Sequence, residues 1–173
     1  MLDWSMEDES LEAQADEFAS YLLMPLNDYR QQVNATVDLD LMGHCAERYG
    51  VSLTAAILKW LSSTEEKAVV VMSTDGYMNW AWSSKPAAKA GAFFRTRGQT
   101  IPIPPASVTA NQSIQSERRG VDVPATIWFP YAEPGWVVRE MKLYSDHYDS
   151  VITLLVLPRY AAVWPPRLSS DDD

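Results

Sequence analysis

The sequence has little of what secreted, membrane or histidine-rich metal proteins use. It contains one cysteine, Cys45, and two histidines in 173 residues, and neither histidine lies in a His-Glu-x-x-His motif. A single cysteine excludes an internal disulfide and favours a reducing compartment, so we expect a cytoplasmic protein. No apolar run approaches the length of a membrane span, and the acidic start is unlike a signal peptide. We therefore expect no membrane association.

Basic residues are also scarce, with 14 Lys and Arg against 23 Asp and Glu, for a net charge of −9. The imbalance is concentrated in residues 1–67, which hold 13 acids and 4 bases. Residues 68–168 are mildly basic, with 7 acids and 10 bases. A nucleic acid would meet a repulsive field over the first part and weak attraction over the second. The composition therefore predicts no direct nucleic-acid binding.

The first part of the chain has the periodicity and caps of helices. Helices are predicted over residues 7–24, 27–33, 38–49 and 53–61. Pro25 would end the first helix, Asn27-Asp28 would cap the second, and Gly50 and Ser52 would separate the last two. In the third helix we expect Leu41, Cys45 and Ala46 to face inward. This outline resembles a helix-turn-helix.

The second part of the chain is rich in β-branched and aromatic residues. Strands are predicted over residues 68–73, 77–82, 93–94, 123–129, 136–144 and 151–157, with 101–105 extended and 106–120 a mobile loop. Asp75-Gly76 is a hairpin turn signal. The predicted fold is α+β: helical residues 1–64, an antiparallel β-rich domain over 65–160 and a disordered tail over 161–173, with fraying from Pro158.

One face of the first predicted helix has a pattern suited to metal binding. Glu12, Asp16 and Leu23 share that face with Ala15 and Ala19. Small alanines beside a carboxylate leave space for a metal ion and its other ligands, and zinc accepts carboxylate oxygen. An acidic residue in a first helical turn is more often simply solvated, and spacing alone favours that interpretation.

The segment Glu12-x-x-Ala-Asp-x-Phe-Ala-x-x-Leu-Leu-Met-Pro25 resembles the segment after the His-Glu-x-x-His helix in the ImmA/IrrE family of zinc metallo-endopeptidases. The stretch from Ala46 to Ala56 is similar to the helix-turn-helix-like unit that follows in that family. The resemblance implies that Glu12 is the third zinc ligand. It places Asp16, where the family often has Asn, as a possible hydrogen-bond partner of the site.

The other half of such a zinc site does not occur in this sequence. Without His-Glu-x-x-His the resemblance assigns no catalytic residue here, and we expect this chain alone to bind no zinc. Two interpretations stay open: a portion of a longer peptidase that cleaves a helix-turn-helix repressor, or a fold that has lost its chemistry. The alternative function is a non-catalytic regulatory module that binds a ligand or a protein.

Other candidate residues favour structural interpretations. His44 and Cys45 are adjacent on a helix and diverge by about 100°, so they would not chelate one ion easily, and Cys45 is expected in the core. His147 is expected in a surface loop. Lys59 is the one base on the fourth predicted helix, too little to read a major groove, so that helix pair is expected to be structural.

The aromatic and arginine residues of the second part leave two interpretations open. Trp80 and Trp82 would share one face of a strand, either packed in the core, which is favoured, or lining a ligand-sensing pocket. Four arginines in expected loops would be solvated or would bind an anion: Arg95, Arg97, Arg118 and Arg119.

Overall fold

The computed structural model describes residues 23–33, 36–146 and 148–166. It divides the chain into two compact units, residues 1–60 and 61–173, and each is described by itself. The first predicted helix, with Glu12 and Asp16, lies outside the described residues except for its last two positions.

The first unit is helical, as the sequence predicts. Its described helices are α1 (Leu26–Gln32), α2 (Leu39–Tyr49) and α3 (Leu53–Ser63), the last running across the boundary between the units. Gly50 ends α2 in the left-handed conformation, with φ of 63°, and the Ser52 hydroxyl accepts the amide of Ala55 at 3.1 Å at the start of α3. Both predicted caps are confirmed. The predicted Asn27-Asp28 cap is wrong, because α1 begins directly after Pro25 without a side-chain cap.

The core of the first unit is centred on Tyr29, which is fully buried. Its hydroxyl donates to the carbonyl oxygen of Ala56 on α3 at 2.7 Å and thereby ties α1 to α3. Burial raises the pKa of this phenol. The buried stripe of α2 consists of Leu39, Met42, Cys45 and Ala46. Leu41, expected inward, is only half-buried because it lies at the edge of that stripe.

Replacing Tyr29 with phenylalanine tests this tie. Because the ring stays and only the buried hydrogen bond goes, we expect Tyr29→Phe to lower the free energy of unfolding by about 1 kcal/mol. Urea titration followed by circular dichroism measures this, with the exposed Tyr131→Phe as the control. Equal stability of Tyr29→Phe and the wild type would contradict the assignment.

The second unit is built on one antiparallel sheet, so the predicted α+β fold is confirmed. The strands are β1 (Lys67–Thr74), β2 (Tyr77–Ser83), β3 (Ser116–Pro124), β4 (Val137–Ser145) and β5 (Ser150–Leu157), in the order β2-β1-β5-β4-β3. A short helix, α4 (Lys85–Lys89), follows β2. Asp75 and Gly76 both have positive φ, 52° and 80°, which fits the predicted two-residue hairpin turn. Pro102 bridges to Tyr77, so the predicted extended segment lies along the edge of β2.

Three predictions for the second unit are corrected. Phe93 and Phe94 lie outside the strands. The strand predicted over 123–129 instead covers Ser116–Pro124, part of the expected loop, and a 3-10 turn (Ala125–Ile127) follows it. The strand ends at Pro124 because proline has no backbone N–H to donate to the next pair. The rest of β3 was not recognised because it is an exposed, polar edge strand with a register shift near Gly120. Such a strand lacks the alternation of apolar and polar residues from which a strand is predicted.

The chain after β5 is anchored rather than frayed up to residue 166. Ala161 and Val163 are buried, and the amide of Val163 donates to the carbonyl of Ala90 at 2.8 Å. Both side chains join an apolar core on one face of the sheet. Its strand members are Val69, Val71, Met78, Val138, Leu155 and Leu157, and Trp128 and Phe129 cover them from the turn before β4. The predicted fraying from Pro158 is therefore wrong for the described residues.

Candidate functional site

The predicted zinc-site residues cannot be placed together in the structure. Glu12 and Asp16 lie outside the described residues, as does His147. His44 is exposed on α2, and the neighbouring Cys45 is buried, which raises the pKa of its thiol. Among the residues that the structure describes, no three His, Cys, Asp or Glu side chains form a group able to hold a metal ion. The donors present in that part of the chain therefore do not fit a zinc site.

The described part of the chain does contain a cavity, in the second unit, with a volume of about 620 Å³. It lies where the core face of the sheet becomes polar, near the β1–β2 and β4–β5 turns. The register places Ser73, Val151 and Tyr144 side by side on three neighbouring strands. The segment between residues 103 and 115 forms the other wall. The lining residues are Ser73, Thr74, Asp75, Gly76, Ile103, Thr109, Ala110, Gln112, Ile114, Gln115, Lys142, Tyr144, Asp149 and Val151.

A buried carboxyl group holds this wall on the sheet. Glu140 of β4 has no exposed surface, and its Oε1 accepts both the amide and the hydroxyl of Thr109 at 2.7 Å. Its Oε2 accepts the indole N–H of Trp128 at 3.0 Å. The Thr109 hydroxyl lies 2.7 Å from that of Thr153 on β5. Since Thr109 gives its proton to Glu140, Thr153 is the donor in that second bond.

Lys142, two residues along the same strand, is the cation of the cavity lining. Only 3% of it is exposed. Its ammonium group donates to the carbonyl oxygens of Asn111 at 2.7 Å and Val108 at 3.4 Å. Burial lowers the pKa of Lys142, and the charge of nearby Glu140 partly opposes this. An ammonium group has three N–H donors, so these two contacts leave one for another acceptor.

Two exposed carboxylates lie on the turns beside the cavity. Asp75 belongs to the β1–β2 turn and Asp149 to the β4–β5 turn, where its φ is 46°. The hydroxyl of Tyr144 donates to Asp149 at 2.7 Å, and this hydrogen bond raises the pKa of the phenol. The cavity therefore has a buried cation in its wall and carboxylates on its exposed turns.

Sequence reasoning missed these residues. Glu140 and Lys142 alternate along β4 on the face that carries Val138, and only the pairing register shows that this face is buried. A pair of charged residues at alternate positions of a hydrophobic strand was the available signal.

The residues that the sequence did single out lie elsewhere. Trp80 is only half-buried and does not belong to the apolar core of the second unit, and Trp82 is 60% exposed, so the core interpretation is wrong for Trp82 and is not supported for Trp80. Neither tryptophan lines the cavity, and neither do the four arginines singled out from the sequence. Lys59 on α3 is buried, which fits a structural helix.

Comparison with known proteins agrees with the resemblance seen in the sequence. The family of the IrrE N-terminal-like domain matches residues 5–61, about a third of the chain. The match includes the segment from Glu12 to Pro25 and extends through α2 and most of α3. This family is metallopeptidase-like. No curated protein matches the chain. No described helix has the length and apolar character that a membrane span requires.

Proposed function

We propose that this chain contributes to a zinc-dependent metallo-endopeptidase of the ImmA/IrrE family, because residues 5–61 match the family of the IrrE N-terminal-like domain. The observation that supports this is the match itself, since it includes the motif from Glu12 to Pro25. The proposed substrate is a helix-turn-helix transcriptional repressor, as the family resemblance implies. In this proposal Glu12 supplies a carboxylate ligand to zinc, and Asp16 hydrogen-bonds within the site.

The zinc ligands that this chain can supply follow from the residues that its sequence contains. Zinc held by two imidazoles and one carboxylate keeps a coordination position for water and lowers the pKa of that water. The two histidines and the glutamate base of such a site do not occur as His-Glu-x-x-His in this sequence. In this proposal they come from polypeptide outside these 173 residues. Glu12 provides the one ligand that this chain offers.

Replacing Glu12 tests the proposal. In protein purified from its host, we expect about one zinc ion per molecule and cleavage of a repressor. Glu12→Ala removes a ligand, so both zinc and cleavage should be lost. Glu17→Ala is the matched control, since Glu17 is the same residue type and, on an ideal helix over this predicted segment, would lie about 140° around the axis from Glu12. Zinc is measured by elemental mass spectrometry and cleavage by gel electrophoresis.

The control outcomes decide between the two functions left open by the sequence. Unchanged zinc content in Glu12→Ala would show that Glu12 is not a zinc ligand. Native protein that carries no zinc and leaves the repressor intact would contradict the peptidase proposal. That result would favour the second candidate, a non-catalytic regulatory module. The observation favouring that candidate is the cavity of the second unit, whose size is typical of small-molecule sites.

A further inference from the structure

The charge arrangement of the cavity limits which ligands would be complementary to it. Lys142 is buried, and its direct partners among the described residues are two neutral carbonyl oxygens. The charge of nearby Glu140 acts on Lys142 through space, but the bonds described for its two oxygens come from Thr109 and Trp128. A buried ammonium without a counter-ion in contact is costly, and an anionic group in the cavity would offset that cost. The wall at Lys142 is therefore suited to a carboxylate.

The turns beside the cavity have the opposite character. Asp75 and Asp149 are exposed carboxylates in the lining, so the lining as a whole has an excess of negative charge. A multiply charged anion such as phosphate would be repelled there, whereas an ammonium group would be attracted. Charge complementarity thus favours a ligand that has one negative group and one positive group.

The remaining lining residues match the body of such a ligand. Ile103, Ile114 and Val151 provide apolar contacts, and the side chains of Gln112 and Gln115 can donate and accept hydrogen bonds as a peptide group does. The volume of about 620 Å³ exceeds what one small amino acid fills and lies within the usual range for ligand sites.

We propose that this cavity binds a short peptide with free termini, with its carboxylate against Lys142 and its terminal ammonium group towards Asp75 and Asp149. The proposal concerns the second unit alone. It does not depend on zinc binding or on Glu12, so either proposal can fail without the other.

The test uses pooled tripeptides and the intact ¹⁵N-labelled chain. We expect the pool with free termini to shift the amide resonances of cavity residues, notably Thr109, Gln112 and Val151. A C-terminally amidated pool and an N-acetylated pool should each bind about tenfold more weakly, since each lacks one charged contact. These comparisons change only the ligand, so they hold even where a variant fails to fold.

Substitutions of Lys142 and Asp149 test the two proposed charged contacts separately. Lys142→Met should abolish discrimination between the free and the amidated pools, with the exposed Lys89→Met as control. Asp149→Asn should weaken binding of the free pool but not of the acetylated pool. Asp146→Asn, an exposed aspartate of the same turn that does not line the cavity, should leave both unchanged.

Three results would overturn the proposal. One is the absence of saturable shifts with the free pool at millimolar concentration. Another is equal affinity for the free, amidated and acetylated pools. The third is stronger binding of inorganic phosphate or maltotriose at the same residues, which would assign the cavity to an anion or a sugar instead.

Discussion

Glu140→Gln is expected to lower the free energy of unfolding of the second unit by about 2–4 kcal/mol. Glu140 accepts hydrogen bonds at both oxygens, from Thr109 on one side and from the indole of Trp128 on the other. Glutamine has the same shape, but its amide nitrogen is a donor. Whichever way the amide is turned, its nitrogen faces another buried donor, and a hydrogen bond is lost without relief from solvent.

Chemical denaturation of the intact chain, followed by circular dichroism, measures the effect. Glu133→Gln is the matched control, because Glu133 is exposed and close to Trp128 in sequence, and it should change stability by less than about 0.5 kcal/mol. If Glu140→Gln unfolds at the same denaturant concentration as the wild type, the buried carboxyl group does not hold the 103–115 segment on the sheet.

The elements that the sequence predicted correctly are those whose signal is local. Gly50 and Ser52 mark helix boundaries through their own backbone and side-chain chemistry, and Asp75-Gly76 specifies its turn in the same way. The strand Ser116–Pro124 was missed because its pairing depends on β4, and its polar residues lie on an exposed edge. Leu41 was misplaced because only the packing of α2 decides which stripe is buried.

The two candidate sites differ in the same way: one has a local sequence signal and the other is formed only by the fold. The motif from Glu12 to Pro25 was visible because a family signature is contiguous in sequence, and the family match over residues 5–61 agrees with it. The cavity was not visible, because its walls combine β4 with Thr109, which lies 31 positions before Glu140. A lysine on a strand is usually solvated, and only the fold shows that Lys142 is buried.

Gly91→Ala is the second substitution with a large expected effect, again about 2–4 kcal/mol of lost stability. Gly91 has φ of 85°, a conformation that strains an alanine. An added Cβ would also lie 2.8 Å from the ring carbon Cδ2 of Trp164 and 2.9 Å from the backbone nitrogen of that residue. Two hydrogen bonds hold this stretch in place: the amide of Val163 donates to Ala90 and the Trp164 indole to Lys89. The chain therefore cannot move aside without breaking one of them.

Gly76→Ala separates backbone strain from this close approach. Gly76 has a similar φ of 80°, but an added Cβ would meet no atom within 4 Å, so only the conformational cost of about 1–2 kcal/mol is expected. The difference between the two variants, measured by urea unfolding under the same conditions, then reports the contact with the segment after β5. If both variants lose the same free energy of unfolding, the segment around Trp164 moves aside without a measurable loss of stability. Its anchoring then adds nothing to the stability of the sheet.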